Sequence, residues 1–154
     1  MAELITNKLL QSLVADAQQS TRRRMNYNFH INLSDLCQRL LIGIEPGSYI
    51  RPHRHRDKDE TMLVVSGKIG IVFFNPDGSI QNKAILAQGT ENIGANISAN
   101  TFHSFVSLEP GTVFFESKEG PYQTLLPEEW GQWAPAESDG QAKEYYEQLA
   151  RLFF

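Results

Sequence analysis

Cysteine is almost missing from this chain. Cys37 stands alone among 154 residues, which excludes an internal disulfide and suits a reducing compartment. No apolar run approaches the roughly 20 residues that a membrane-spanning helix needs; IGIVFF at 69–74 has the length of a strand. A basic surplus is lacking too. A net charge of −4 argues against a general nucleic-acid partner, because phosphate neutralisation needs a surface rich in Lys and Arg. The opening MAELITNKLL does not run from a basic stretch into an apolar one, so no secretory leader is expected and the cytoplasm is the expected location. Repeats and low-complexity tracts are absent. With 41% apolar and 21% charged residues, the chain has the composition of one folded domain spanning 1–154.

Helical periodicity appears only at the two ends. Leu9, Leu10, Leu13, Val14 and Ala17 form one apolar stripe behind Thr6, a natural N-cap, which predicts a helix over about 7–19. Ala142, Tyr145, Tyr146, Leu149 and Leu152 repeat the pattern near the C-terminus. Between them run short strand-like segments: QRLLIGI, SYIRPH, ETMLVV, IGIVFF, SIQNKAIL, FHSFVSL and VFFESK, parted by Pro-Gly, Asp-Gly and Ser-Gly turns. Strands at this spacing predict an all-β sandwich or barrel over about 24–118. The stretch from about 120, bearing Trp130, Trp133 and several prolines, reads as an irregular arm that covers the barrel and leads to the last helix.

Only four histidines occur, and two of them are His53 and His55 in GSYIRPHRHRDKDETMLVVSG. Two residues apart on a strand, they point to one face. A charged turn follows and Glu60 opens the next strand, so a hairpin would return its carboxylate beside the imidazoles. His103 lies early in a later strand. Two neutral nitrogens and a carboxylate converging at one point suit a borderline transition metal.

Gly47, His53, His55, Glu60 and Gly67 follow the spacing G-x5-H-x-H-x4-E-x6-G, which resembles the first motif of the cupin superfamily at every fixed position. The second cupin motif is degenerate here. His103 is present, but Asn92, Ser98, Asn100 and Ser107 stand where Gly, Pro, Gly and Asn are expected. Asn at the glycine position is tolerable, because Asn enters the left-handed region more readily than most residues. The resemblance implies a jelly-roll β-barrel with one divalent transition metal ion (zinc, iron, manganese, nickel or cobalt) on His53, His55, Glu60 and His103. RRRMNYNFH, QRLLIGIEPGSYIRPHRH and ESKEGPY further resemble the WbuC-type cupin metalloproteins, a group named from bacterial O-antigen polysaccharide gene clusters. Cupins are commonly dimers. The outward residues Leu63, Val65, Val72 and Phe74 form an apolar surface needing a cover, from the terminal helices or from a second subunit of a homodimer.

Three further groups of polar residues bear on function. In RMNYNFHI, Arg24, Asn26, Asn28 and His30 share one face and the aromatics the other. Either the amides face water, or they face the barrel mouth and bind an oxygen-rich ligand. Arg22, Arg23 and Arg24 form the one dense basic run: a solvated surface feature or, near the metal, a set of forks for a phosphate or carboxylate such as that of a sugar phosphate. Finally, Glu109-Pro110-Gly111 suits a type II turn joining two strands. Pairing through it would put Glu116 and Lys118 on the face of His103, either to orient the metal ligands or as acid and base towards a substrate.

Two functions follow. One is a metal-dependent enzyme acting on a small oxygenated substrate such as a sugar or sugar-phosphate derivative, by isomerisation, epimerisation or oxygenation. The other is a metal-dependent binding or sensor module that anchors a small ligand without turnover.

Overall fold

The computed structural model describes residues 1–154. Helix α1 (Asn7–Gln19) begins at Thr6, whose hydroxyl accepts a hydrogen bond from Leu9 N at 3.2 Å. Eight strands follow: β1 (Arg24–Asn28), β2 (Cys37–Ile44), β3 (Glu60–Ser66), β4 (Lys68–Phe74), β5 (Ile80–Ala87), β6 (Gly94–Ile97), β7 (Phe102–Ser107) and β8 (Thr112–Glu119). An arm with one 3₁₀ turn at Pro127–Glu129 leads to α2 (Ala142–Arg151). No helix is long and apolar enough to cross a membrane.

The strands form two antiparallel sheets, one ordered β1-β2-β8-β3-β6 and the other β5-β4-β7. Alternation along the strands decides what lies between them. Leu40, Ile42, Met62, Val64 and Phe114 of the first sheet meet Ile69, Ile71, Leu86 and Phe105 of the second in one buried cluster. Each outer face then receives a helix. Leu13 and Ala17 of α1 press on the first sheet, where the Cβ position of Gly43 lies 3.1 Å from Leu13. Leu149 of α2 covers Val72, Phe74 and Val106 of the second. Burying a leucine in this way is worth about 1.5–3 kcal/mol.

Three expectations from local pattern need correction. Residues 48–53 do not form a strand; only His53 makes bridge contacts. Strands β3 and β4 do not pair as a hairpin, nor do β7 and β8, because each pair is split between the sheets. Gly67 (φ 77°) and Gly111 (φ 77°) instead turn the chain across the core from one sheet to the other. Val72 and Phe74 are therefore covered by α2 rather than set beside Leu63, which is 44% exposed.

Candidate metal centre and its cavity

His53 is fixed by backbone pairing on both sides. Its N–H donates to His103 O at 3.1 Å, and His103 N–H returns a bond to His53 O at 2.9 Å. On the opposite side Gly131 N–H donates to Pro52 O and Arg54 N–H to Glu129 O, each at 2.8 Å. Residues 52–54 thus run between β7 and the arm, extending the smaller sheet. Directly paired residues share a face, so the rings of His53 and His103 stand together with centroids 4.6 Å apart. His55 follows two residues on. Its carbonyl accepts a hydrogen bond from Asn100 N–H at 2.6 Å, and Asn100 holds φ at 67°, the conformation for which glycine is usual. Glu60 arrives from the facing sheet as the first residue of β3.

His53, His55 and His103 each offer one ligand nitrogen, all within 4.8 Å of one another. The Nδ1 atoms of His53 and His103 lie 3.0 Å from Arg51 O and 2.8 Å from Thr101 O. A carbonyl can only accept, so both Nδ1 atoms carry a proton, and in the neutral rings both Nε2 atoms present lone pairs. Glu60 Oε1 lies 2.6 Å from His103 Nε2, and Oε2 lies 3.2 Å from His55 Nε2. These approaches are too poorly aligned to be hydrogen bonds, and both Glu60 oxygens and His103 Nε2 are buried without a partner. Neutral imidazoles facing a buried carboxylate call for a shared cation, a proton or a metal ion, and three converging imidazole nitrogens fit a divalent metal.

Without a metal ion the electrostatics put a proton in that gap. Burial would raise the Glu60 carboxyl, but the His103 and His55 imidazoles hold it well below its ordinary range. Burial also opposes charge on His103, yet the Glu60 carboxylate raises it. His53 is pushed down to about 3, by burial first and by His103 second, so it stays neutral.

Above this cluster opens a cavity of about 520 Å³, within the ordinary size of small-molecule sites. Of the sequence-predicted residues, His53, His55, Glu60, Glu116, Lys118, Arg22, Arg24 and Asn26 line it, while His103 is buried behind them. Asn28 and His30 do not line it. Asn28 is exposed at the end of β1; His30 lies beyond it, buried, where its Nδ1 takes a hydrogen bond from Arg39 N–H at 3.1 Å. Lys118 Nζ is 3.9 Å from Glu60 Oε2 and 4.0 Å from Glu116 Oε2. Glu116 and Lys118 reach the cavity by pairing with β3 (Met62 with Glu116, Glu60 with Lys118) and not by pairing with β7. Either partner gives the same parity. Burial, then the neighbouring Glu60 carboxylate, raises Glu116 to about 7 against the pull of Lys118 and His103.

The sequence led us to expect the arm as a cover for the barrel, but not that its residues line the cavity. Trp130 and Leu125 line the cavity, and Trp130 bridges His53 while Arg51 lies over its indole at 5.5 Å. Glu129 accepts from Arg56 N–H at 3.0 Å and from Leu126 N–H at 2.7 Å, which ties the histidine loop to the arm. Glu137 also lines the cavity and pairs with both Arg22 and Arg24. The apolar residues Leu125, Trp130 and Trp133 in an arm without periodicity were the available signal.

Two facing antiparallel sheets with a histidine cluster between them are a cupin-like fold, and solved structures agree. KdgF from Halomonas sp. superposes with a TM-score of 0.52 at 18% identity, over 65% of this chain and 82% of that one. Oxalate oxidase in complex with glycolate gives 0.54 at 11% identity, over 71% of this chain and 57% of that one. CapF with the inhibitor 3-isopropenyl-tropolone gives 0.55 at 23% identity, over 71% of this chain but only 30% of that one. No curated protein matches the chain in sequence. A family model described as "Domain of unknown function (DUF6016)" matches residues 5–86, more than half of the chain, and the protein belongs to that family.

Proposed function

We propose that the protein is a metal-dependent enzyme that binds a small substrate with oxygens on adjacent carbons, such as a hydroxy acid or sugar derivative. The observation that carries this reading is the convergence of imidazole lone pairs and the unpartnered Glu60 carboxylate beneath an open cavity. His53, His55 and His103 would hold one divalent ion, with Glu60 beside His55 and His103. The likeness to cupin structures and the sequence resemblance to the WbuC-type metalloproteins support it. So does ligand chemistry: glycolate in oxalate oxidase and the tropolone in CapF both present two oxygens on adjacent carbons. A bound ion supplies Lewis acidity, polarising a substrate oxygen and acidifying the adjacent C–H or O–H.

The chain's own residues would do the rest. Glu116, held near neutrality by burial, takes a proton from substrate or returns one. Lys118, between the two carboxylates, orients Glu116 and offsets the charge it acquires on giving up its proton. Phe105, Phe114 and Trp130 thin the water around the reacting atoms.

The test is a thermal-shift screen of hydroxy acids, keto acids and sugars against metal-loaded and metal-stripped protein, with NMR for turnover. Stabilisation confined to the loaded protein, with conversion, is expected. Glu116→Gln should then slow conversion by about 10²–10⁴-fold, with metal content unchanged. Ligands that bind the loaded protein but never convert would make it a sensor module. Ligands indifferent to the metal would remove the proposal.

A further inference from the structure

At the rim of the cavity, away from the histidines, one carboxylate serves two guanidiniums. Glu137 of the arm meets Arg22 through both oxygens, Nε to Oε2 at 3.1 Å and Nη2 to Oε1 at 3.0 Å. The same Oε1 also meets Arg24 Nη2. Arg24 is held in place from below, donating to Ser48 Oγ and Tyr49 O at 3.1 Å each, and its side chain is only 12% exposed. This is a rigid, mostly buried fork whose outward edge faces the cavity, whereas Glu137 hangs from a segment without regular structure. Two cations against one anion leave a positive surplus at the rim, and guanidinium forks match carboxylate and phosphate oxygens.

Arg24, His53 and His55 border the same space. Tyr49, which anchors Arg24, is four residues from His53, at most about 14 Å of extended chain. That upper bound lets one ligand of sugar length reach both points.

We propose that the cavity takes a ligand with an oxyanion at its far end, a carboxylate or a phosphate, which binds Arg22 and Arg24 where the Glu137 carboxylate now lies. This rests on the metal-centred reading above, with vicinal oxygens of the same ligand at the histidine cluster. Glu137 is then a resident competitor: it keeps the fork charged, oriented and partly dry until the ligand anion replaces it.

Calorimetric titration of the metal-loaded full chain with gluconate, glucarate and 6-phosphogluconate tests this. All three share a hydroxy-acid end, while their far ends are neutral, carboxylate and phosphate. Glucarate or 6-phosphogluconate should bind at least about 10-fold more tightly than gluconate, and the stronger of the two names the anion. Arg24→Gln should erase that advantage while gluconate affinity and metal content stay unchanged; Glu137→Gln should widen it. If Arg24→Gln fails to fold, Arg22→Gln, at a side chain 64% exposed, must narrow the same gap. Equal binding of the three acids, or equal loss of all three in the arginine variants, overturns this inference and leaves the metal reading standing. No binding of any acid to the loaded chain overturns both.

Discussion

Replacing His103 with alanine should leave the protein without its metal, with affinity falling by more than about 100-fold, since losing even an outer-shell partner of a metal ligand costs 10–100-fold. His103 is 1% exposed, pairs with His53 through two backbone hydrogen bonds, and faces the buried Glu60 carboxylate. Its removal takes away one nitrogen and strands a charge in a dry site, so the metal-free variant should also be less stable than the metal-free parent. His30→Ala is the control. It removes a buried histidine too, and costs a backbone hydrogen bond to Arg39, but lies outside the cavity and should keep full metal content. Equal metal loss from both variants would mean that the cluster is not the binding site.

The second large effect belongs to the fold. Gly67 turns the chain from β3 in one sheet to β4 in the other with φ 77°. A Cβ added there would lie 2.3 Å from Thr112 Oγ1 and 2.6 Å from Thr112 Cα. Thr112 cannot retreat easily: it is fully buried, and its hydroxyl accepts from Lys68 N–H and donates to Glu109 O. Gly67→Ala should therefore combine left-handed strain of about 1–2 kcal/mol with overpacking of about 1–3 kcal/mol. Gly89 has nearly the same φ, 74°, but nothing within 4 Å of its Cβ position. Gly89→Ala should show the strain alone, about 1–2 kcal/mol. Thermal unfolding separates them: for a chain of this length each kcal/mol moves Tm by about 2–4 °C. Similar Tm values for the two variants would deny that the crossing beside Thr112 is tightly packed.

These two sites mark what could be read from the sequence and what could not. The histidine spacing was legible because His53, His55 and Glu60 stand at short intervals that survive whatever the neighbouring strands do. Parity survived as well. Glu116 and Lys118 face inward although the strand expected to pair with them, β7, lies in the other sheet. Pairing itself was not legible. The Ser66-Gly67 and Pro110-Gly111 turns read locally as hairpins, and only the three-dimensional path shows that they cross between sheets. The segment 48–53 looked like a strand, yet just its last residue makes bridge contacts. Along RMNYNFHI the alternation placed Arg24 and Asn26 at the cavity, but the strand ends at Asn28 and the pattern ceased to predict there. The arm was least legible, because Trp130 and Glu137 have no period and gain meaning only from contacts with His53 and the arginines.

Anomalous X-ray scattering from crystals of protein purified without a polyhistidine tag and incubated with divalent transition metals bears most directly on the metal centre. One peak per chain is predicted, about 2.0–2.1 Å from a nitrogen of each of His53, His55 and His103, and absent after chelation. Crystals that show no peak there, or a peak only at exposed acidic groups, would contradict the account.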